Sequence, residues 1–190
     1  MKILIINSAE AKIREFVTPI EKILTTARSN AQMINYRECS NINLNSFDGI
    51  IVSGSPQGDD IVEHHQPYFQ WLKTYKKPVL GICAGHHITG FMFGANYLRN
   101  VEPESGNCLV EVLKEDPLFY GLPKSLLVRQ MHNDSITLPD QFIHLAQSTI
   151  CFNQAMRHSN KPLYTLQFHP EFLNPEIILN FISICKKHED

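Results

Sequence analysis

Apolar residues along the chain fall into short runs set off by turn formers: KILIIN (2 to 7), FDGIIVSG (47 to 54), KPVLGIC (77 to 83), LVEVL (109 to 113), LLVRQM (126 to 131), FIHLAQS (142 to 148) and LYTLQF (163 to 168). Runs this short, rich in β-branched and aliphatic side chains, predict strands. Between the early runs the period changes. Residues 11 to 29 carry Ile13, Phe16, Val17, Ile20, Ile23 and Leu24 at three-to-four spacing, interrupted by Pro19, and residues 65 to 75 carry Pro67 early with Trp71 and Leu72 later. Both windows predict helices, and strands alternating with helices predict a parallel sheet with helices packed on it. From about residue 105 the strand runs crowd together with few helical windows, which predicts antiparallel strands added to that sheet. The chain closes with NPEIILNFISICKK, where Asn174 is placed to cap, Pro175 suits a first helical turn, and Ile177, Ile178, Phe181, Ile182 and Cys185 form an apolar stripe.

Composition narrows the possibilities. At 190 residues, 43% of them apolar, the chain is long enough for one substantial core, and a single domain over 1–190 is expected, with no repeat or composition break to mark a linker. Its 17 Lys and Arg against 19 Asp and Glu give a formal charge of -2, without a long run of one sign, so nucleic acid is not an expected partner. The opening MKILIINSAE has too few consecutive apolar residues for a signal-peptide core or a membrane span. Five cysteines, Cys39, Cys83, Cys108, Cys151 and Cys185, lie far apart and form no C-x-x-C pair. That pattern speaks against a disulfide framework or a cysteine-rich zinc site and for reduced thiols in a soluble, cytoplasmic protein.

Three segments carry candidate chemistry. VLGICAGHHITGFMFG (79 to 94) reads as a buried strand, a sharp turn at Cys83, and a helix from about Ala84. Glycines at 81 and 85 relieve crowding beside a strained residue, and the helix aims its free N–H groups and positive dipole end at the sulfur, favouring thiolate. LYTLQFHPEF places His169 and Glu171 just past a strand, at the same sheet end if that strand is parallel to its neighbours. A nucleophilic cysteine needs a base, and the base needs a group to orient it, which are roles for His169 and Glu171. The third segment, VSGSP, runs a strand into Gly54, Ser55 and Pro56. There the Ser55 amide, with that of Ala84, can offer donors to an oxyanion. Each segment also has a plain structural reading: a small buried cysteine, a polar turn after an edge strand, and an ordinary turn.

Taken in order, VSGSP, GICAGHH and QFHPE resemble the signature of class I glutamine amidotransferases, whose nucleophile motif is G-x-C-x-G-x-Q and whose triad ends in H-P-E. Within that family, LFYGLPKSLLV, MHND, NQAMRH and LYTLQFHPE are similar to the amidotransferase subunit or domain of GMP synthase. The resemblance implies a flavodoxin-like α/β fold, mostly parallel, in which Cys83 attacks the side-chain amide of glutamine, His169 relays protons and Glu171 orients His169. It implies no cofactor. It leaves no room for an ATP-dependent synthetase site, so ammonia transfer would need a separate partner subunit.

The departures from the family pattern matter too. The family's glutamine after the turn is His87 here, and imidazole cannot offer a carboxamide's paired donor and acceptor. The usual Glu-Tyr-Gly reads Gly106, Asn107, Cys108, and the usual Ser-His-x-Asp reads Met131, His132, Asn133, Asp134. Gly54, His87, His132 and Asp134 are accordingly the candidate substrate-pocket residues. Other readings are a free-standing hydrolase of γ-glutamyl amides or peptides and a catalytically silent regulatory relative. A metal site using Cys83 and His87, at i and i+4, lacks a third ligand at convincing spacing, so no metal is expected. The His64–His65 pair reads as solvated surface.

Overall fold

The structure, a computed structural model, describes residues 1–57 and 61–189. Five parallel strands form one half of its sheet: β1 (Lys2–Asn7), β2 (Asn30–Asn35), β3 (Gly49–Val52), β4 (Val79–Ile82) and β11 (Leu163–Leu166), in the order β2-β1-β3-β4-β11 from the edge inward. Beyond β11 the sheet continues through antiparallel β10 (Ala155–His158), β9 (Phe142–Gln147), β6 (Glu104–Val112) and β7 (Ser125–His132). The switch from parallel to antiparallel pairing in the second half agrees with the sequence pattern. A separate two-stranded ladder joins β5 (Tyr97–Leu98) to β8 (Ser135–Ile136).

Strand side chains alternate between two apolar layers because the pleat has a period of two. Ile3, Ile5, Ile51, Leu80, Ile82 and Leu166 meet α1 (Val17–Thr26) and α5 (Pro175–Glu189) through Val17, Ile20, Leu24, Ile177, Ile178, Phe181 and Ile182. On the opposite face, Leu4, Ile6, Ile50, Val52 and Val79 meet Phe69, Leu72, Ile88 and Met92. Two short helices complete the secondary structure near the site, α2 (Ile61–His65) and α4 (Pro170–Leu173), together with α3 (Ala84–Met92).

Several sequence expectations need correction. The helix expected over 11–29 starts only at Val17, which puts Pro19 in its first turn, where the missing N–H breaks no intrahelical bond. Residues 8 to 16 instead loop over the sheet end, held by Asn7, whose Nδ2 donates to Ile13 O at 2.8 Å and whose Oδ1 accepts from Ala9 N at 3.0 Å. The window 65–75 is largely a tight 3-10 turn series, Gln66–Lys73, with Pro67 near its start. Asn174 does not cap α5 with its side chain: its buried Oδ1 accepts no hydrogen bond, and its carbonyl takes Ile177 N at 3.1 Å. His65 is not surface. Its ring lies 3.8 Å from that of Tyr36, and its Nε2 donates to Ser8 O at 2.7 Å, beneath the 8–16 loop.

Candidate active site

Because β1, β3, β4 and β11 are parallel, Ser8, Gly54, Cys83 and His169 all leave the sheet at its carboxyl end, where ligands of such sheets bind. Cys83 sits between β4 and α3 with φ 50° and ψ -101°, outside the regions favoured by a residue with a Cβ. Such a conformation costs about 1–3 kcal/mol and persists only where its surroundings enforce it. The enforcing contacts are visible. Cys83 N donates to Leu166 O at 2.8 Å, and Cys83 O accepts from His86 N at 2.9 Å and His87 N at 3.1 Å, so strand and helix hold the turn from both sides. Gly85 lets α3 lie directly on β3: a Cβ there would meet Val52 O at 2.6 Å.

His169 follows β11, and its N–H donates to Arg129 O on β7 at 2.9 Å. Pro170 then begins α4, which turns Glu171 back so that His169 Nδ1 donates to Glu171 Oε1 at 2.8 Å. Both side chains are sealed from solvent, at 1% and 0% exposure, so nothing screens the interaction. With Nδ1 occupied, Nε2 is the free nitrogen. It is buried without a hydrogen bond of ordinary length, and besides Glu171 the side chain acting on the ring is Cys83. Burial pulls the imidazole towards neutrality, but the Cys83 sulfur and the Glu171 carboxylate outweigh it and raise it to about 10. Phe16 stacks on the same ring at 4.7 Å, and Phe172 lies 5.8 Å from it.

The turn after β3 is pinned just as firmly. Ser8 Oγ lies 2.7 Å from Ser53 O and 3.1 Å from Gly54 O, and Ser53 Oγ lies 3.0 Å from Gly54 O. Since a trans peptide is planar, fixing the Gly54 carbonyl turns the Ser55 N–H the other way. Gly54 backs onto the His169 ring, because a Cβ there would meet His169 Cε1 at 2.7 Å. Ala84 contributes the first amide of α3.

The remaining candidate residues are buried and engaged with other partners. His87 Nε2 donates to Gln167 Oε1 at 2.6 Å, and Tyr97 OH lies 3.1 Å from Nδ1. The amide oxygen only accepts, which fixes the tautomer: Nε2 carries the proton and Nδ1 accepts from Tyr97. Burial keeps this ring neutral, lowering it to about 4. With both nitrogens engaged, His87 has no lone pair for a metal shared with Cys83, and the i, i+4 metal pairing is not formed. His132 Nδ1 donates to Asp134 O at 2.9 Å while its Nε2 lies 3.3 Å from Glu104 Oε2. Asp134 Oδ1 accepts from Asn100 N at 2.8 Å, and its Oδ2 is buried without a partner.

Sequence reasoning missed Ser8, Phe16, Gln167 and Tyr97, whose roles come from tertiary placement rather than from any motif. A groove of about 1420 Å³ between α5 and residues 112–124 contains none of the residues above. A cleft of about 410 Å³ lined by Glu15, Asn107, Arg129, Met131, Phe172 and Leu173 adjoins them through Phe172.

Comparison with known proteins supplies the context. The family model described as glutamine amidotransferase class-I matches residues 13–179. Over 181 residues the chain is 34% identical to a glutamine-hydrolyzing GMP synthase subunit of Methanosarcina mazei, covering 93% of this chain and 84% of that one. It is likewise 34% identical over 153 residues to the corresponding subunit of Thermoplasma volcanium, covering 77% and 76%. A solved structure described as a GMP synthase subunit from Thermoplasma acidophilum superposes with a TM-score of 0.88 at 29% identity, covering 100% of this chain and 96% of that one.

Proposed function

Since the chain belongs to the class I glutamine amidotransferase family, we propose that Cys83, His169 and Glu171 hydrolyse the side-chain amide of glutamine and deliver the ammonia to a separate ATP-dependent synthetase subunit. The observation that carries this reading is the sealed His169–Glu171 pair beside a strained Cys83, whose sulfur is the largest influence raising the His169 ring. The Cys83 thiolate attacks the amide carbon, forming the C–S bond and an oxyanion. The amides of Ser55 and Ala84 stabilise that charge. As the C–N bond breaks, protonated His169 gives its proton to the departing nitrogen, releasing ammonia and leaving a γ-glutamyl thioester. His169, now neutral, takes a proton from water as the water's oxygen attacks the thioester. Collapse of that intermediate expels the thiolate and frees glutamate, with His169 again protonated.

The names of the M. mazei and T. volcanium relatives include glutamine hydrolysis and mark each as one subunit of GMP synthase, and the partner of this chain is proposed on that likeness. No helix among the described residues is long and apolar enough to cross a membrane. One observation favours a second reading, hydrolysis of γ-glutamyl amides: the family's pocket glutamine is His87, and its ring is spent on Gln167 and Tyr97. A single assay separates the two. Glutamate release from L-glutamine and from γ-glutamyl amides is measured with the wild-type chain and with Cys83→Ala. Release from glutamine that vanishes in the variant supports the first reading. Cys83-dependent release from the amides alone supports the second, and release that survives the substitution refutes both.

A further inference from the structure

Outside the triad lies a second cluster of chemistry-bearing side chains. Glu104, at the start of β6, and His132, at the end of β7, are register partners across the hairpin, and both point inward. Cys151, in the turn between β9 and β10, joins them, and one donor atom from each lies within 4.8 Å of the others. All three are buried. Their bonding leaves a conflict. His132 Nδ1 must donate to the carbonyl of Asp134, so in the neutral ring the Nε2 lone pair faces the Glu104 carboxylate oxygen 3.3 Å away. That oxygen is also held by the Gln154 side-chain amide, which is itself positioned by Gln130. Two lone pairs directed at one another in a dry interior require a positive charge between them, a proton or a metal ion.

We propose that Glu104, His132 and Cys151 bind a divalent transition-metal ion, zinc by the nature of its donors, with a fourth position open. A nitrogen, a sulfur and a carboxylate oxygen are the donor types zinc accepts, and its ligand atoms sit about 3.3–3.8 Å apart in a tetrahedral site. The Glu104–His132 spacing already matches this. The outer contacts also fit, since a metal-bound histidine usually donates its other N–H to a carbonyl and a metal-bound carboxylate usually accepts a hydrogen bond. Here Asp134 O and Gln154 supply both. The thiol of Cys151 is pushed up by burial and by Glu102 and Glu104, so without a cation it stays neutral. The same two carboxylates offset the charge of a divalent ion. Bound there, the ion ties the β6–β7 hairpin to the 148–154 turn, behind Gln167 and the His169 segment, to which Gln154 O is joined by Gln167 N at 2.8 Å. His132 then serves the metal rather than the substrate.

Cobalt(II) tests this, because a thiolate ligand gives a cobalt charge-transfer band that other ligands do not. The untagged full chain is used with Cys83→Ala, so that the triad sulfur cannot contribute. One equivalent of cobalt is expected to bind with a charge-transfer band, competed away by zinc. Adding Cys151→Ala is expected to abolish the band. Glu104→Gln, with the fold verified by circular dichroism, is expected to weaken cobalt binding by more than about tenfold, since even outer-shell partners of metal sites are worth that much. No band in the folded Cys83→Ala chain, a band that survives Cys151→Ala, or an affinity unmoved by Glu104→Gln would each overturn the assignment.

Discussion

Acidification from pH 7 to pH 5 is expected to destabilise the fold through His87, and the structure gives the size of the effect. The ring is 5% exposed, donates to Gln167 and accepts from Tyr97. Burial lowers it from the ordinary 6.5 to about 4, only partly offset by the Gln167 hydrogen bond. The unfolded chain therefore binds a proton that the folded chain refuses between pH 6.5 and about 4. Stability rises with pH across that window and falls on acidification. Linkage over the interval from pH 7 to pH 5 gives about 2 kcal/mol, an order-of-magnitude figure for one fully buried group. The assay is urea unfolding at both pH values for the wild-type chain and for His87→Gln, which keeps an amide able to reach Gln167 but does not titrate. His86, depressed by burial first and by His87 second, is present in both chains, so the burial part of its contribution cancels in the difference. The variant is expected to lose about 2 kcal/mol less than wild type. Equal losses in the two chains, within about 0.5 kcal/mol, would show that folding does not keep the His87 ring from taking up a proton.

Further expectations concern the proposed triad and its support. Cys83→Ala removes one of the two groups that hold His169 protonated, so the ring's midpoint, followed by NMR, is expected to fall from about 10 by about 1–3 units. In the wild-type chain, the raised midpoint means stability present below pH 6.5 and lost as pH rises through about 10, and this alkaline loss is expected to shrink in the variant. Glu171→Gln is expected to lower kcat for amide hydrolysis by about 10²–10⁴ with a smaller change in KM, because it weakens the orientation of His169 and the stabilisation of its charged form. Gly85→Ala drives a Cβ to within 2.6 Å of Val52 O and is expected to destabilise the chain by about 1–3 kcal/mol in urea unfolding. A change under about 0.5 kcal/mol would show that α3 shifts freely on β3.

What could be read from the sequence follows the physics of each element. β1, β3 and β4 are apolar on both faces, because helices cover both, and such runs stand out. β2 (Asn30–Asn35) lies at the sheet edge and is exposed at its start, so NAQMIN carries no strand signal despite pairing with β1 along its whole length. The two-residue strands β5 and β8 are shorter than any pattern. Cys83, His169 and Glu171 stand beside glycine or proline turns that mark them. Ser8 and Phe16 come from a loop whose course depends on Asn7, and Gln167 meets His87 from 80 residues away. Glu104, His132 and Cys151 are assembled by a hairpin register and a turn, and no ligand spacing along the chain announces them.

In the proposed reaction Cys83 carries the substrate's acyl group. Acid quenching of the chain during turnover of L-glutamine, followed by mass analysis of its peptides, tests it most directly. A mass increase of glutamine less ammonia is expected on the peptide containing Cys83, lost on treatment with hydroxylamine and absent in Cys83→Ala. Turnover in the Cys83→Ala chain, or an acyl group found on any other residue, would contradict it.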